Sequence, residues 1–202
     1  TLEPTYLARA VSLARDMQRL FTAEDSGGFR LSGKDTGSSL TESRSVNDGA
    51  LPSANSVAAM NFLRLGAMTG DEELEQQGRD IIKAFADEME SAPAAYTHMM
   101  TALDFALGPR REIVIAGDLD ASGTRDMLRT AQSRFLPRSV LLHRPAGEEA
   151  AEDIVELAPY VSGQKPRGNQ ATAYVCRDRV CSEPVTDLAR LQESLKNGEA
   201  SS

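Results

Sequence analysis

The chain has 202 residues, of which 41% are hydrophobic and 26% charged, and its formal net charge is −8. This composition is typical of a soluble globular protein with one or two domains. Acidic residues outnumber basic ones by 30 to 22, and the basic residues form no run, which argues against nucleic acid or an anionic membrane as a partner. With neither a signal-peptide pattern nor a membrane-spanning apolar stretch, the sequence predicts a cytoplasmic protein.

The first third of the chain predicts one helix and a long polar connection. Apolar residues recur every three or four positions from Thr5 to Phe21, as in an amphipathic helix. Residues 27–39 are polar and rich in glycine, with at most one short strand at 29–31. The block NDGALPSANS at 47–56 concentrates turn-forming and helix-capping residues directly ahead of an apolar segment.

The next segments predict a pair of helices and then a third. Residues 57–70 are apolar on nearly all sides, which is typical of a buried helix. Gly70 ends this helix and the acids at 71–73 begin the next one, which we expect to run through Met89. Because the connection is so short, the two helices should pack as an antiparallel hairpin. A further helix is predicted over 94–107.

The hydrophobic period changes after Gly108-Pro109. A short buried strand, a helix and a second strand follow within about thirty residues, which predicts a βαβ crossover with parallel strands. The sequence then predicts a short acidic helix, a β-hairpin and a closing helix. These six predicted elements cover residues 111–117, 123–136, 138–143, 147–163, 171–185 and 186–196.

Three motifs carry a resemblance to a known family. They are NDGALPSANSVAAMNFLRL, EIVIAG after Gly-Pro, and ATAYVCRDRVC followed by Pro184. They resemble the C-terminal part of a thioredoxin-domain family that includes the spermatogenesis-associated thioredoxin-like proteins, over Gly27 to Leu191. Family members join a thioredoxin-like domain to a toroid of paired helices similar to six-hairpin glycosidases and N-acylglucosamine 2-epimerases. The family usually has Gly where this chain has Ala54, a small departure.

The predicted fold class is mostly α with a small α/β part. The resemblance implies that residues 1–109 are helix hairpins of an (α/α) toroid, and the strand pattern makes 110–188 a small α/β appendage. Residues 189–202 complete the terminal helix and form a disordered tail. The resemblance further implies that this chain is a fragment, with a thioredoxin-like domain upstream as its partner, and no redox motif of that domain transfers to any residue here.

The polar block at 47–56 offers the candidate ligand site. Ser53 or Asn55 can cap the following helix, which is the structural interpretation. In the functional interpretation, the loop lies at the mouth of a toroid, and Asp48, Asn55 and Arg44 bind a sugar or polyol. Glycoside hydrolysis needs two carboxylates at a defined separation. Asp48 has no convincing acidic partner in the sequence, so a carbohydrate-active enzyme remains a hypothesis.

The two cysteines, Cys176 and Cys181, fall in the predicted hairpin. If Asp178 and Arg179 form its two-residue turn, the cysteines face each other at a distance that permits a disulfide. Asp-Arg is not the Asn-Gly pair that such turns favour. Because cytosolic thiols usually stay reduced, two buried structural thiols are favoured over a disulfide or redox pair.

Metal and nucleotide sites have weaker support. A structural zinc site needs four ligands, but the two histidines, His98 and His143, lie in a helix and at a strand end, where structural roles are expected. The turn after the first strand lacks both glycine-rich phosphate motifs, and Asp118 and Asp120 would repel a phosphate. We therefore expect no metal and no cofactor. Three functions stay open: carbohydrate binding or processing, a noncatalytic scaffold for the upstream domain, and thiol redox chemistry.

Overall fold

The computed structural model describes residues 2–23, 27–33 and 47–196. These residues are mainly helical, with a small four-stranded mixed sheet, so the expected class of mostly α with a small α/β part is confirmed. The chain divides into two compact units. The helical unit comprises Tyr6–Ala67 and Asp71–Gly108, and the sheet unit comprises Thr1–Thr5, Met68–Gly70 and Pro109–Ser202. Within the described ranges, no helix combines the length and apolar character needed to cross a membrane.

Four helices begin close to where the sequence pattern places them, namely α1 (Pro4–Phe21), α2 (Ala54–Thr69), α3 (Glu72–Ala84) and α5 (Thr97–Leu107). Pro4 lies at the first position of α1, where its missing N–H removes no helical hydrogen bond. The single helix expected to run through Met89 is instead broken at Phe85, whose backbone leaves the helical region while its ring is buried. The break leaves a separate short helix, α4 (Ala86–Ser91), after it. The strand expected at 29–31 is reduced to one bridge between Thr22 and Phe29.

Helices α2 and α3 form the expected antiparallel hairpin. Gly70 ends α2 with a positive φ of 78°, and the Asp71 side chain accepts hydrogen bonds from the first turn of α3. Gly66, near the end of α2, lies against Glu75 near the start of α3, and Gly78 further along α3 lies against the middle of α2. Both glycines permit the helix backbones to approach more closely than a larger residue would.

The sheet has the strand order β2-β1-β3-β4, in which β1 is Arg111–Ala116, β2 is Ser139–Arg144, β3 is Thr172–Arg177 and β4 is Val180–Cys181. Strands β1 and β2 are parallel and joined by α6 (Ser122–Gln132), which confirms the predicted crossover. Strand β3 pairs antiparallel with β1 on its other side, a neighbour that the strand pattern did not specify. The unit also contains α7 (Glu148–Leu157) and α8 (Leu188–Lys196).

Strand β1 is buried at every position, so both faces of the sheet are covered there. Ile113 and Ile115 face the main core, where they pack with residues of α6 and α8. Leu191 and Leu195 of α8 are fully buried in this core, which makes the terminal helix an integral part of the sheet unit. Alternation along the strand directs Glu112 to the opposite face. The predicted disordered tail lies outside the described residues.

Candidate functional site

Asp48 connects the polar loop to the start of α5. Its Oδ1 accepts a hydrogen bond from the backbone N–H of Ser53 at 2.8 Å, and its Oδ2 accepts from His98 and Met99 at 2.8 and 3.1 Å. Partial burial raises the pKa of this carboxyl, but the hydrogen bonds together outweigh it and the pKa lies below its ordinary 3.8. The carboxylate caps α5 from a distant point in the sequence, and both of its oxygens accept hydrogen bonds from the backbone of this fold.

Asn55 is fully buried and pairs with the backbone of Phe29. Its Oδ1 accepts from the Phe29 N–H at 2.7 Å, and its amide nitrogen donates to the Phe29 carbonyl at 3.0 Å. Ser53 is the helix cap, since its hydroxyl accepts the Ser56 N–H at 3.1 Å at the start of α2. Arg44, the third candidate ligand residue, lies outside the described residues.

Alanine at position 48 should cost about 1.5 kcal/mol of stability, because three N–H groups lose their acceptor. Asp48→Asn, which keeps one acceptor oxygen, should cost about half as much. Because the folded pKa is lowered, the contribution of Asp48 is fully present above pH 3.8 and is lost as the pH falls through the folded value. Urea denaturation at pH 7 and pH 3 measures both effects, and an Asp48→Ala variant as stable as the parent chain at pH 7 would contradict the capping role.

An apolar groove of about 610 Å3 opens on the helical unit, between α3, α4 and α5. Its floor and walls are mainly aliphatic, and Met100 and Leu107 of α5 remain 39% and 75% exposed there. Arg79 and Lys83 of α3 lie on one side, and Glu90 of α4 contributes an acidic group. An exposed aliphatic surface of this kind is typical of a site for another protein segment.

The cysteine hairpin has the register expected from a turn at Asp178 and Arg179. Arg177 faces Val180 and Cys176 faces Cys181. Both turn residues have positive φ, at 47° and 67°, which is the primed turn that matches the twist of the strands even though neither residue is glycine.

The two cysteines form a disulfide with Cα atoms 3.8 Å apart. Cys176 is 2% exposed, whereas Cys181 lies on the short edge strand β4 and is exposed. The interpretation as two buried structural thiols is therefore wrong. The hairpin register brings the sulfurs together directly, and the edge position leaves the residue Cys181 exposed.

Two side chains near the disulfide were not foreseen as site residues. Glu112 of β1 stands directly opposite Cys176 of β3 and is 3% exposed. Gln164 directs its amide nitrogen at both sulfurs, at 3.8 Å from Cys176 and 3.6 Å from Cys181. The available signal was a glutamate followed by four apolar residues within a buried strand, and only the pairing of β1 with β3 connects it to a cysteine.

Burial raises the pKa of the Glu112 carboxyl above its ordinary 4.5. The backbone N–H of Arg179, which donates to Oε2 at 3.2 Å, and the charge of Arg110 act in the opposite direction. The other carboxyl oxygen, Oε1, is buried with no hydrogen-bond partner among the described residues. Such a carboxyl is held closer to its neutral form than an exposed glutamate.

Both histidines form hydrogen bonds with other residues of the fold. His98 donates its backbone N–H to Asp48, as described above. His143 is buried, its Nε2 lies 2.7 Å from the Gly117 carbonyl, and burial lowers its pKa below the ordinary 6.5. Over the part of the chain that the structure describes, no group of three or more His, Cys, Asp or Glu side chains is arranged to hold a metal ion.

Several known proteins are similar to this chain in sequence. Human spermatogenesis-associated protein 20 (Homo sapiens) is 32% identical over 194 residues, which cover 96% of this chain and 24% of the relative. The chain is homologous to spermatogenesis-associated protein 20. The rat protein of that name (Rattus norvegicus) is 31% identical over the same shares, and an uncharacterized protein of Caenorhabditis elegans is 24% identical over 93% of this chain and 25% of the relative. No family model matches the chain.

The similarity to spermatogenesis-associated protein 20 confirms the resemblance that the motifs indicated. The chain spans about a quarter of the length of these curated relatives. The thioredoxin-like domain and the toroid stay predictions.

Proposed function

We propose that the helical unit is a noncatalytic packing module whose apolar groove binds a helix from a part of the longer polypeptide outside these 202 residues. The observation that carries this proposal is the groove itself, with large aliphatic side chains exposed along α5. In a toroid of helix pairs each pair packs on the next, so the groove would receive a neighbouring pair. The match to only 24% of the human relative is in line with further helices elsewhere in such a polypeptide.

The rim of the groove suggests what the bound helix looks like. Its apolar ridge would lie between Met100 and Leu107 of α5 and Met89 of α4. Lys83 is exposed beside the groove on α3, so an acidic residue on the bound helix would be electrostatically favoured there. The partner proposed here is therefore an amphipathic helix with an apolar face and an acidic flank.

Photocrosslinking in the longest natural polypeptide that contains this sequence tests the packing function. With p-benzoylphenylalanine at position 107, we expect a crosslink within the same polypeptide to a helix outside residues 1–202. Position 180 is the matched control, because Val180 is also 75% exposed but lies on the sheet unit. Crosslinks only between copies, or the same crosslinks from both positions, would contradict the proposal.

The carbohydrate hypothesis has less support from the candidate residues. Asp48 and Asn55 both direct their polar atoms at backbone groups of this chain. A sugar that binds the native state would raise the midpoint of thermal unfolding. The packing proposal expects no such rise with mono- or oligosaccharides, and a reproducible rise in the full polypeptide would favour the carbohydrate function.

A further inference from the structure

We propose that Cys176 and Cys181 form a redox-active disulfide that exchanges with a dithiol, with Glu112 supplying the proton that Cys176 takes up. This site lies in the sheet unit and is independent of the packing function proposed for the helical unit. It rests on the position of the disulfide at a sheet edge, on the unequal exposure of the two cysteine residues, and on the buried carboxyl opposite one of them.

Exposure decides which sulfur reacts first. Thiol–disulfide exchange requires a thiolate to approach one sulfur directly, so access controls the point of attack. Cys181 is exposed on the two-residue edge strand β4, whereas Cys176 is 2% exposed within β3. The incoming thiolate therefore attacks Cys181, and Cys176 is the leaving group.

The exchange transfers two electrons from the dithiol to the disulfide in two displacement steps. One thiolate of the dithiol bonds to the Cys181 sulfur, the bond between the two cysteines breaks, and its electron pair leaves on Cys176 as a thiolate. The protonated Glu112 transfers its proton to that thiolate. The second thiol of the dithiol, as its thiolate, then attacks its own partner sulfur and releases Cys181, which takes a proton from water. Glu112 then regains a proton from water. The dithiol is oxidised to a disulfide, and the protein gains two electrons and two protons.

The surroundings of the leaving sulfur fit this role. Glu112 and Cys176 are directly opposite in an antiparallel pair, so their side chains lie side by side on one face of the sheet. The Gln164 amide, which reaches both sulfurs, is suited to stabilise negative charge on whichever sulfur carries it. The Gln164 carbonyl oxygen is buried with no hydrogen-bond partner among the described residues, an uncommon arrangement for a side chain with a purely structural role.

Charged and titratable groups reach Glu112 from each neighbouring element. Arg110 lies just before β1, Asp178 and Arg179 lie in the hairpin turn, and Tyr160 lies in the 3-10 turn after α7. The backbone N–H of Arg179 and the charge of Arg110 favour the ionised carboxylate, and the charge of Asp178 opposes it.

Single-cysteine variants test the assigned order of attack. In Cys176→Ser the exposed Cys181 thiol should react with 5,5′-dithiobis(2-nitrobenzoate) at least about tenfold faster than the buried Cys176 thiol does in Cys181→Ser. In the parent chain, dithiothreitol under native conditions should reduce the disulfide at a rate proportional to its concentration. Reduction that occurs only at the rate of global unfolding, or equal thiol reactivity in the two variants, would overturn the proposal.

The pH dependence of reduction tests Glu112. Rates are expressed per dithiothreitol thiolate, which removes the titration of the reductant. In the parent chain, this rate should fall by about tenfold as the pH rises through the titration of Glu112, because an ionised carboxylate cannot supply a proton and opposes the thiolate beside it. Glu112→Gln should abolish the fall, and Glu152→Gln, at an exposed position on α7, should retain it. A fall that persists in Glu112→Gln would remove Glu112 from the proposal.

Discussion

Replacing Asn55 with alanine is expected to lower the free energy of unfolding by about 3 kcal/mol, since two buried hydrogen bonds are lost and both backbone groups of Phe29 are left without that partner. The side chain is fully buried, and its amide forms hydrogen bonds with both the N–H and the C=O of Phe29, as a neighbouring β-strand would. The Phe29 ring stacks on Phe62 with centroids 5.7 Å apart, so a loss of pairing also disturbs apolar packing.

Urea denaturation monitored by circular dichroism measures this change. Asn47→Ala is the matched control, because Asn47 precedes the same helix but is exposed, and it should change stability by less than about 0.5 kcal/mol. If Asn55 were a ligand residue without a structural role, Asn55→Ala would instead match the parent chain in stability. The variant therefore separates the two interpretations of the NDGALPSANS block.

Alanine at position 66 is expected to destabilise the chain by about 2 kcal/mol, although alanine is the better helix former by about 1 kcal/mol. A Cβ at this position would lie 2.8 Å from both the Asp71 carbonyl oxygen and the Glu75 nitrogen, and would also meet the Glu75 side chain. Two of these neighbours are backbone atoms, so relief requires α2 and α3 to move apart. The clash therefore outweighs the helix preference.

Gly123→Ala is the control for the same chemical change in a helix with space. A Cβ at position 123 of α6 would meet only the Ala171 Cβ at 3.6 Å, an ordinary contact. This variant should be more stable than the parent by about 0.5 kcal/mol. Thermal and urea denaturation measure the change in stability of each variant relative to the parent chain. We expect Gly66→Ala to be less stable and Gly123→Ala to be more stable. If both substitutions were stabilising, the close approach of α2 and α3 would be contradicted.

Local features of the fold were predictable because neighbours in sequence produce them. The capping residues around Ser53, the positive φ at Gly70 and the turn between Cys176 and Cys181 all depend on a few adjacent residues. The break at Phe85 was not predictable, since the apolar pattern continues through it and burial of its ring in the tertiary core sets the backbone there.

The candidate site was only partly predictable. The sequence singled out Asp48 and Asn55 as candidate ligand residues. In the structure they bind the backbone of His98, Met99 and Phe29, which lie far away along the chain. The sequence does not distinguish a carboxylate or amide that is free to bind a ligand from one that is hydrogen-bonded to a distant backbone group. Glu112 was not singled out in the sequence, because it becomes a neighbour of Cys176 only through the pairing of β1 with β3, a strand much later in the chain.

The sequence by itself determined most of the helix and strand segments, the parallel crossover and the hairpin register, because these depend on short-range periodicity and turn chemistry. Tertiary structure alone decided that β3 lies beside β1, that Asp48 caps α5, and that the disulfide has a buried carboxyl as its neighbour. These features arise from contacts between segments far apart in the chain, and the hydrophobic pattern of each segment carries no information about which distant backbone or sulfur it will meet.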